Sequence, residues 1–450
     1  MTAARPETPL SPDSVPGNGL PRRLGYWATS AIVVGTIIGS GIFRVPATVA
    51  SEVGSPAAIA LVWVLGGVIS LCGALALAEL AAAYPASGGV FVYLREAYGP
   101  LIAFLFGWTY LVLGPASVGA IALVFAEYFG TLLSLSPVGV RLVAATVLAF
   151  VGLAAYRSVR GLGGVVTAAS AAKIAAIAML VIVAFLLGDG EAGALAQGVS
   201  REEARWGGVG LALVAALWAY NGFHDMVCVA GEVREPGRVL PRALLSGTLV
   251  VIAVYLSANA AYLYVLPFDA LQRSPLVASD TMIRVVGDGG AALVAVMVMV
   301  STFGAVAGLG LVNPRVFYAM ADAGLLFAPL ARVHPRFRTP HVAVLVHTAL
   351  TLVFVWSRTF EQLTEAFIVG VWPFLALAVA GVLVLRRTQP GLTRPYLTPG
   401  YPVVPLIFIA ATLWVVGSAL LARPLTTLAG IGFTLLGIPV YLVWRRAVRR

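Results

Sequence analysis

Long apolar runs, separated by short polar or Pro/Gly-rich stretches, fill most of this 450-residue chain. A bilayer core about 30 Å thick needs roughly 20 apolar residues per helix, and runs of that length recur throughout the sequence. The pattern therefore predicts an all-α polytopic membrane protein with about twelve transmembrane helices. The predicted spans are residues 25–50, 57–82, 100–132, 138–156, 163–187, 208–232, 241–266, 289–321, 341–357, 365–385, 402–421 and 426–445.

Composition supports a bilayer environment for most of the chain. Hydrophobic residues make up 60% and charged residues 11% of the sequence, and the mean hydropathy is +0.96. Soluble domains contain roughly 45–50% apolar and 25% charged residues. Cys72 and Cys228 each lie inside an apolar stretch. This placement predicts packing residues and neither a disulfide framework nor a metal site.

The basic residues lie between the apolar spans. A formal net charge of +10 could indicate nucleic-acid binding, but no basic stripe alternates with aromatic residues, so we expect none. Arginines are concentrated at the termini and in alternate loops, which predicts that both termini lie in the cytoplasm. The expected location is the plasma membrane. Residues 1–22 lack the apolar core of a cleavable signal and are predicted to be a disordered cytoplasmic tail.

The first span contains Gly39-Ser40-Gly41 at its middle. Glycine disfavours a continuous helix, and a broken helix inside a membrane needs a cavity or ligand for its freed backbone groups. The half-helix beginning near Ser40 would direct its N–H groups at a carboxylate, while carbonyls near Ile37 and Ile38 suit an ammonium group. The alternative interpretation is that these small residues only allow close helix packing.

The sixth span has a polar interruption, Asn221-Gly222-Phe223-His224-Asp225, in the middle of an apolar stretch. Interruptions in the first and sixth spans are typical of inverted repeats of five helices, with a binding site between them at the middle of the membrane. This second interruption favours a functional break over close packing alone.

Three separated motifs resemble the amino acid–polyamine–organocation superfamily, especially its L-type amino acid transporter-like permeases. They are GSGIF in span one, LWAYNGF followed by AGEVREPGRVLPRA in span six, and STFGAVAGLGLVNPRVFYAMADAGL in span eight. The resemblance covers roughly residues 25–390 and implies a leucine-transporter-like fold of two inverted repeats plus two closing helices, with alternating access. The implied units are residues 23–188, 207–386 and 400–446, followed by a basic end at 447–450.

The resemblance also implies a substrate site at the two breaks. The carboxylate of the substrate would contact Ser40 and Gly41. The ammonium group of the substrate would contact the carbonyls of Ile37, Trp218 and Asn221. Phe223 is either a gate or cavity wall or an ordinary packing aromatic. The candidate substrate-binding residues are Ile37, Ile38, Gly39, Ser40, Gly41, Trp218, Asn221, Gly222 and Phe223.

Lys173 is the single lysine of the chain and lies inside span five. An ionisable group at this depth is costly, which indicates a function. In related permeases without sodium coupling, a lysine on the fifth helix takes the place of a sodium ion, and Lys173 matches that position. Its expected partners are carbonyls near Val34 or Gly35 and the hydroxyl group of Ser301 or Thr302. The alternative is a lysine that extends to the membrane interface.

His224 and Asp225 are candidates for a proton relay or for contact with a polar substrate side chain, with a purely structural pair as the alternative. Leu309 occupies a position where some arginine- or polyamine-handling relatives carry tryptophan, which argues mildly against a large cationic substrate.

Three other carboxylates lie near predicted span ends. Glu127 is expected to reach water. Glu79 and Glu232 are expected to pair with Arg95 or with the Arg234–Arg242 cluster.

No metalloprotease HExxH motif, Ser-His-Asp arrangement or Walker loop is visible, so we expect neither an enzyme nor a cofactor or bound metal. The predicted function is sodium-independent secondary active transport of an amino acid by a permease or exchanger. The alternatives are a polyamine or other organic-amine permease, and an amino acid sensor on the same fold. The expected partners are the amino acid and the lipid bilayer, with no obligatory protein partner.

Overall fold

A computed structural model describes residues 22, 24–86, 88–157, 159–190 and 208–448 of the chain. Within these residues the chain is an all-α polytopic membrane protein. The described residues also contain an isolated parallel β-bridge between Leu24 and Val233. Nine of the described helices are long and apolar enough to cross a bilayer, or ten when a bent pair counts as one.

The described α-helices are α1 Tyr26–Ile37, α2 Gly41–Val53, α3 Pro56–Ala83, α4 Val90–Tyr98, α5 Pro100–Leu133, α6 Pro137–Arg157, α7 Val159–Leu187, α8 Val209–Ala219, α9 Pro236–Val265, α10 Phe268–Arg273, α11 Val277–Val286, α12 Asp288–Val312, α13 Pro314–Asp322, α14 His341–Ser357, α15 Phe360–Thr388, α16 Val403–Ala422 and α17 Pro424–Val448. Two 3₁₀ helices, Met226–Glu232 and Ala328–Ala331, complete the set. Helices therefore occupy all twelve predicted spans.

Several helix starts follow from local sequence. The Ser55 side chain accepts a hydrogen bond from the Ala58 N–H, and Pro56 is the first residue of α3, where its missing N–H costs nothing. Thr359 and Gln362 form a reciprocal capping box at the start of α15. These caps satisfy N–H groups that would otherwise be unpaired at helix ends.

The helices divide into inner and outer ones. In the most apolar windows, 78% of α5 is buried inside the protein but only 17% of α17. The outer helix α17 exposes large apolar side chains such as Leu425, Leu436 and Val443, as expected for a surface that faces lipid. The inner helices surround α1, α2 and α8, so the core lies around the two predicted breaks.

The number of crossings stays a prediction, because the apolar helices Val209–Ala219 and His341–Ser357 are shorter than a full span. The inverted repeats at 23–188 and 207–386 and the closing pair at 400–446 likewise stay predictions. The predicted tail at 1–22 and basic end at 447–450 lie largely outside the described residues.

Candidate functional site

The first predicted break is present. Helix α1 ends at Ile37, and α2 begins at Gly41 with a bend of 40° between them. The Ile38 N–H still donates to the Val34 carbonyl at 2.9 Å, so the helical hydrogen bonding stops directly after Ile38. The Phe43 N–H donates to the Ser40 carbonyl at 3.2 Å. The N–H groups that precede it at the start of α2 have no carbonyl group one turn back in their own helix and suit an anion.

The second predicted break is also present, between the end of α8 at Ala219 and the 3₁₀ helix that begins at Met226. Gly222 has φ +121°, and a Cβ there would lie 2.7 Å from the Thr36 carbonyl carbon and oxygen. The Thr36 hydroxyl donates to the Gly222 carbonyl at 3.1 Å. Glycine at position 222 therefore lets the two broken spans cross in contact.

Gly41 and Tyr255 hold the same crossing together. A Cβ on Gly41 would lie 2.5 Å from the Ala219 Cα, so any side chain there would push the spans apart. The Tyr255 hydroxyl lies 3.0 Å from the Ile37 carbonyl oxygen and 3.0 Å from that of Ala219. One hydroxyl group on α9 therefore joins the ends of both half-helices.

A small cavity lies between the breaks, with about 20 Å³ open to the centre of a water molecule. This volume holds about one water, so an amino acid requires the walls to move apart. The hydroxyl oxygen of Ser40 and the side-chain oxygen of Asn221 are buried without a hydrogen-bond partner among the described residues. The walls are Thr36, Ile37, Gly39, Ser40, Gly41, Tyr110, Ser117, Ile121, Trp218, Asn221, Asp225, Leu309 and Phe367.

Three carbonyl groups proposed for the substrate ammonium already accept protein donors. The Ile37 carbonyl lies within reach of Tyr255, Ile38 accepts from Lys173, and Trp218 accepts from the Asn221 N–H at 3.1 Å. A carbonyl oxygen has two lone pairs, so each retains capacity for a second donor. The ammonium contact stays a prediction.

Lys173 is fully buried, so the alternative in which it extends to the interface is wrong. Its ammonium group donates to the Gly35 carbonyl at 2.9 Å and to that of Ile38 at 2.6 Å. The expected contact near Gly35 is therefore present, and Ile38 is a further partner. Lys173 thus holds the carbonyl end of α1 from helix α7.

The two hydroxyl groups expected near Lys173 differ in their contacts. The Ser301 hydroxyl lies 3.5 Å from the Gly39 carbonyl, so it links α12 to the break. The Thr302 hydroxyl instead donates to the Val298 carbonyl at 2.7 Å, one turn back in its own helix. Threonine side chains in helices commonly form this local bond. The Thr302 hydroxyl therefore has its hydrogen-bond partner within α12.

Phe223 does not line the cavity. Because the chain turns at Gly222, the Phe223 ring packs against Trp372 of α15 and Phe408 of α16, with centroids 6.3 and 6.2 Å away. The ring is fully buried. These contacts favour the packing interpretation over the gate or cavity wall.

His224 and Asp225 have different surroundings. Asp225 lines the cavity together with Tyr110, whose hydroxyl donates to the Asn313 side-chain oxygen at 2.9 Å. The His224 Nε2 lies 3.6 Å from the nearest Asp225 oxygen, too far for a hydrogen bond. A relay between these two side chains stays a prediction.

Glu79 was expected near Arg95, and that pairing is wrong. Arg386 of α15 donates to both Glu79 oxygens, at 2.9 and 2.7 Å, and the Thr398 hydroxyl donates at 2.7 Å. Arg95 contacts Glu96 beside it. The partners of Glu79 lie some three hundred positions along the chain, where sequence proximity carries no signal.

Glu232 was expected to pair with the Arg234–Arg242 cluster, and that pairing is also wrong. The Arg315 Nε of α13 donates to Glu232 at 2.7 Å, and both side chains are nearly buried. Helix α13 follows α12 after a turn at Asn313, which brings Arg315 to the end of the 3₁₀ helix.

Glu127 does not simply reach water. It pairs with Arg44 of α2, which also donates to Glu361 at 2.7 Å and stands 4.9 Å over the Phe360 ring. We call Arg44, Glu127 and Glu361 the Arg44 clamp. It joins α2, α5 and α15 on the side of the cavity toward which α2 leads.

Sequence reasoning missed Tyr110, Ser117, Tyr255 and Phe367. Polar side chains in the middle of apolar helices were a usable signal for the first three. Phe367 had none, because an aromatic residue in an apolar helix is equally suited to lipid or to a cavity.

An all-α membrane protein with a polar cavity between two broken helices belongs to the class of transporters for small polar molecules. The amino acid permease family model matches residues 24–443. The chain therefore belongs to the amino acid permease family, and it is a secondary active amino acid transporter.

The chain is similar over nearly its whole length to characterised transporters. It is 34% identical to the serine/threonine exchanger SteT of Bacillus subtilis, covering 94% of this chain and 97% of that protein. It is 30% identical to the human b(0,+)-type amino acid transporter 1, over 96% of this chain and 91% of the relative. It is also 30% identical to the human cystine/glutamate transporter, over 96% and 87%.

Proposed function

We propose that this protein exchanges α-amino acids across the membrane without sodium, and that it binds the substrate between the two breaks. The observation that carries the proposal is the pair of unpartnered oxygens, Ser40 Oγ and Asn221 Oδ1, in the wall of one cavity. A buried polar atom without a partner costs free energy unless a ligand supplies the missing hydrogen bond.

The carboxylate end of the substrate is assigned to the start of α2. The N–H groups of Gly41 and the residues after it lie at the positive end of the helix dipole, and the Ser40 hydroxyl adds a donor. The ammonium end is assigned to the Ile37 carbonyl of α1 and to the Trp218 carbonyl near the end of α8, which carry the opposite partial charge. The carbonyls of Gly35 and Ile38 are bound to Lys173 and are not part of this assignment.

Lys173 supports independence from sodium. Its ammonium group is bound to the carbonyls of Gly35 and Ile38, so a fixed cation already holds the free carbonyl end of α1. A second cation at the same carbonyls would be repelled at short range. The similar protein SteT is a serine/threonine exchanger, and this supports exchange as the mode of transport.

Alternating access requires one closure on each side of the cavity. On one side we propose the Arg44 clamp, which joins α2 to α5 and α15.

On the other side we propose the contacts around Leu24. Its N–H donates to the Glu232 carbonyl at 3.0 Å, and its own carbonyl accepts from the Arg234 N–H at 2.9 Å. The Glu232–Arg315 ion pair extends this closure to α13. In each half of the cycle, one closure opens while the other stays closed.

We place both termini in the cytoplasm and the protein in the plasma membrane, on the arginine distribution. We also propose that it acts without an obligatory protein partner. Cysteine labelling from each side of intact cells would test the orientation, and transport by the purified chain alone would test the partner.

The proposed function is tested by uptake of radiolabelled amino acids into liposomes that contain the purified full-length protein. We expect uptake to require an internal amino acid and to be equal with and without sodium. Uptake that depends on a sodium gradient would contradict the role of Lys173. No flux of any amino acid under any gradient would contradict transport and favour a sensor.

A further inference from the structure

We infer that Asp225 selects substrates by the charge of their side chain, and that the protein prefers an α-amino acid with a short basic side chain. This inference rests on the proposed function, because it assigns one wall of the proposed substrate cavity. The chemical class is an amino acid of the type of 2,4-diaminobutyrate or ornithine.

The position of the Asp225 side chain is the first observation. Asp225 directly precedes the 3₁₀ helix Met226–Glu232, yet its carboxyl group accepts no hydrogen bond from the backbone of that helix. Asp225 lines the cavity, and only 2% of the residue is exposed. It therefore lies in the wall of the space that a substrate would occupy.

The charge balance around Asp225 is the second observation. The described cavity walls include no lysine, arginine or histidine side chain. The buried lysine and arginine of the inner helices are engaged elsewhere, since Lys173 is bound to carbonyls of span one and Arg315 is paired with Glu232. The His224 ring lies 3.6 Å away, beyond hydrogen-bond distance.

A buried carboxylate without a cationic partner is costly, and the cost falls when a ligand brings the missing charge. The carboxylate and ammonium groups of a neutral amino acid cancel each other, so such a substrate gives Asp225 no counter-charge and leaves ionisation of its carboxyl group costly. A substrate with a second ammonium group compensates it. The cavity is therefore electrostatically complementary to a basic amino acid.

The size of the preferred side chain follows from the opposing walls. Ile121, Leu309 and Phe367 give the cavity an apolar wall, and its described lining residues include no second carboxylate for a guanidinium group. The Tyr110 hydroxyl lies beside Asp225 and occupies part of the remaining space. A short side chain ending in one ammonium group fits this arrangement better than a guanidinium group on a longer one.

The test measures exchange in liposomes for ornithine, 2,4-diaminobutyrate, arginine and serine, with wild type and with Asp225→Asn. We expect wild type to prefer the two short basic substrates over serine. In Asp225→Asn we expect kcat/KM for these two to fall by about 30-fold or more, and that for serine to change by less than about threefold. The matched control is Asp322→Asn, at an exposed carboxylate at the end of α13, which should behave as wild type.

A second measurement keeps the inference testable should Asp225→Asn fail to fold. Thermal stabilisation of purified wild-type protein by each substrate reports binding directly, and we expect ornithine to stabilise more than serine at equal concentration. Stronger stabilisation by serine would overturn the inference without reference to any variant.

The outcomes separate the inference from the proposed function. Exchange of neutral amino acids alone would overturn the inference and leave the function in place. An equal loss for serine and ornithine in Asp225→Asn would assign Asp225 to the ammonium group that all substrates share, or to structure, and would also overturn it. Unchanged selectivity with lost coupling to a pH gradient would favour a proton relay instead. No flux of any amino acid by wild type would overturn both.

Discussion

The two broken spans differ in what they offer to the cavity. In span one the break is short, consisting of Ile38, Gly39 and Ser40, and backbone N–H and carbonyl groups are its main polar groups. In span six the break is longer and presents the side chains of Asn221 and Asp225. One break is a backbone site and the other is a side-chain site.

This difference shows how one fold can bind both the part that all its substrates share and the side chain in which they differ. Every α-amino acid carries the same carboxylate and ammonium groups, and backbone groups at helix ends match them with little dependence on sequence. Side chains change with single substitutions, so the break in span six is the place where substrate choice can vary. We therefore expect variants in span one to reduce transport of all substrates, and those at Asp225 to change selectivity.

The largest effect is expected for Gly41→Val. Its added Cβ would lie 2.5 Å from the Ala219 Cα, so the two spans cannot keep their contact, and exchange should fall below detection. The matched control is Gly417→Val in α16, where a new Cβ has no neighbour within 4 Å, and this variant should retain most activity. Normal exchange by well-folded Gly41→Val would show that the crossing is not needed.

Lys173→Ala should lower turnover by roughly 10- to 100-fold for every substrate, because it removes two charge-assisted hydrogen bonds to the break. The measurement is exchange rate at saturating substrate, with size-exclusion chromatography to show that the protein is folded. Sodium should not restore activity. Wild-type turnover in this variant would refute the role of the lysine.

Ser40→Ala should raise KM by about 10-fold for neutral and basic substrates alike, since the lost hydroxyl contacts a group they share. Ser357→Ala, at an exposed hydroxyl at the end of α14, is the control and should leave KM unchanged. A loss confined to one class of substrate would contradict the division between the two breaks.

The smallest effect on transport is expected for Phe223→Leu. The ring packs against Trp372 and Phe408 outside the cavity, so the variant should lose roughly 0.5–3 kcal/mol of stability while the ratio of KM values between substrates stays the same. Thermal unfolding and competition assays measure the two quantities. A changed ratio of KM values would indicate that Phe223 contributes to the substrate site.

Much of the fold was predictable because a bilayer imposes one strong rule, that about 20 apolar residues form a helix. Both breaks were predictable for a related reason, since glycine and polar residues inside an apolar run are costly unless they serve a site. Lys173 stood out on the same ground. In each case, a glycine, polar or charged residue that interrupts an apolar run indicated the site.

The remaining contacts were not predictable, because uniformly apolar helices do not show which face is turned inward. Ile121 and Phe367 therefore gave no sign that they line the cavity. The pairing of Glu79 with Arg386 depends on how distant helices pack, and proximity along the chain favoured the wrong partner. The pairing of Glu127 with Arg44 likewise could not be predicted without the position of α2 in the fold.

The central claim is that the cavity between the breaks binds the carboxylate of an α-amino acid at the start of α2. Its most direct test compares ornithine and serine with their decarboxylated analogues, putrescine and ethanolamine, as competitors of exchange in liposomes. We predict that each analogue competes about 100-fold or more weakly than the corresponding amino acid, because the donors at Ser40 and Gly41 lose their charged partner. Equal competition by putrescine and ornithine would contradict the claim and make the protein an organic-amine permease.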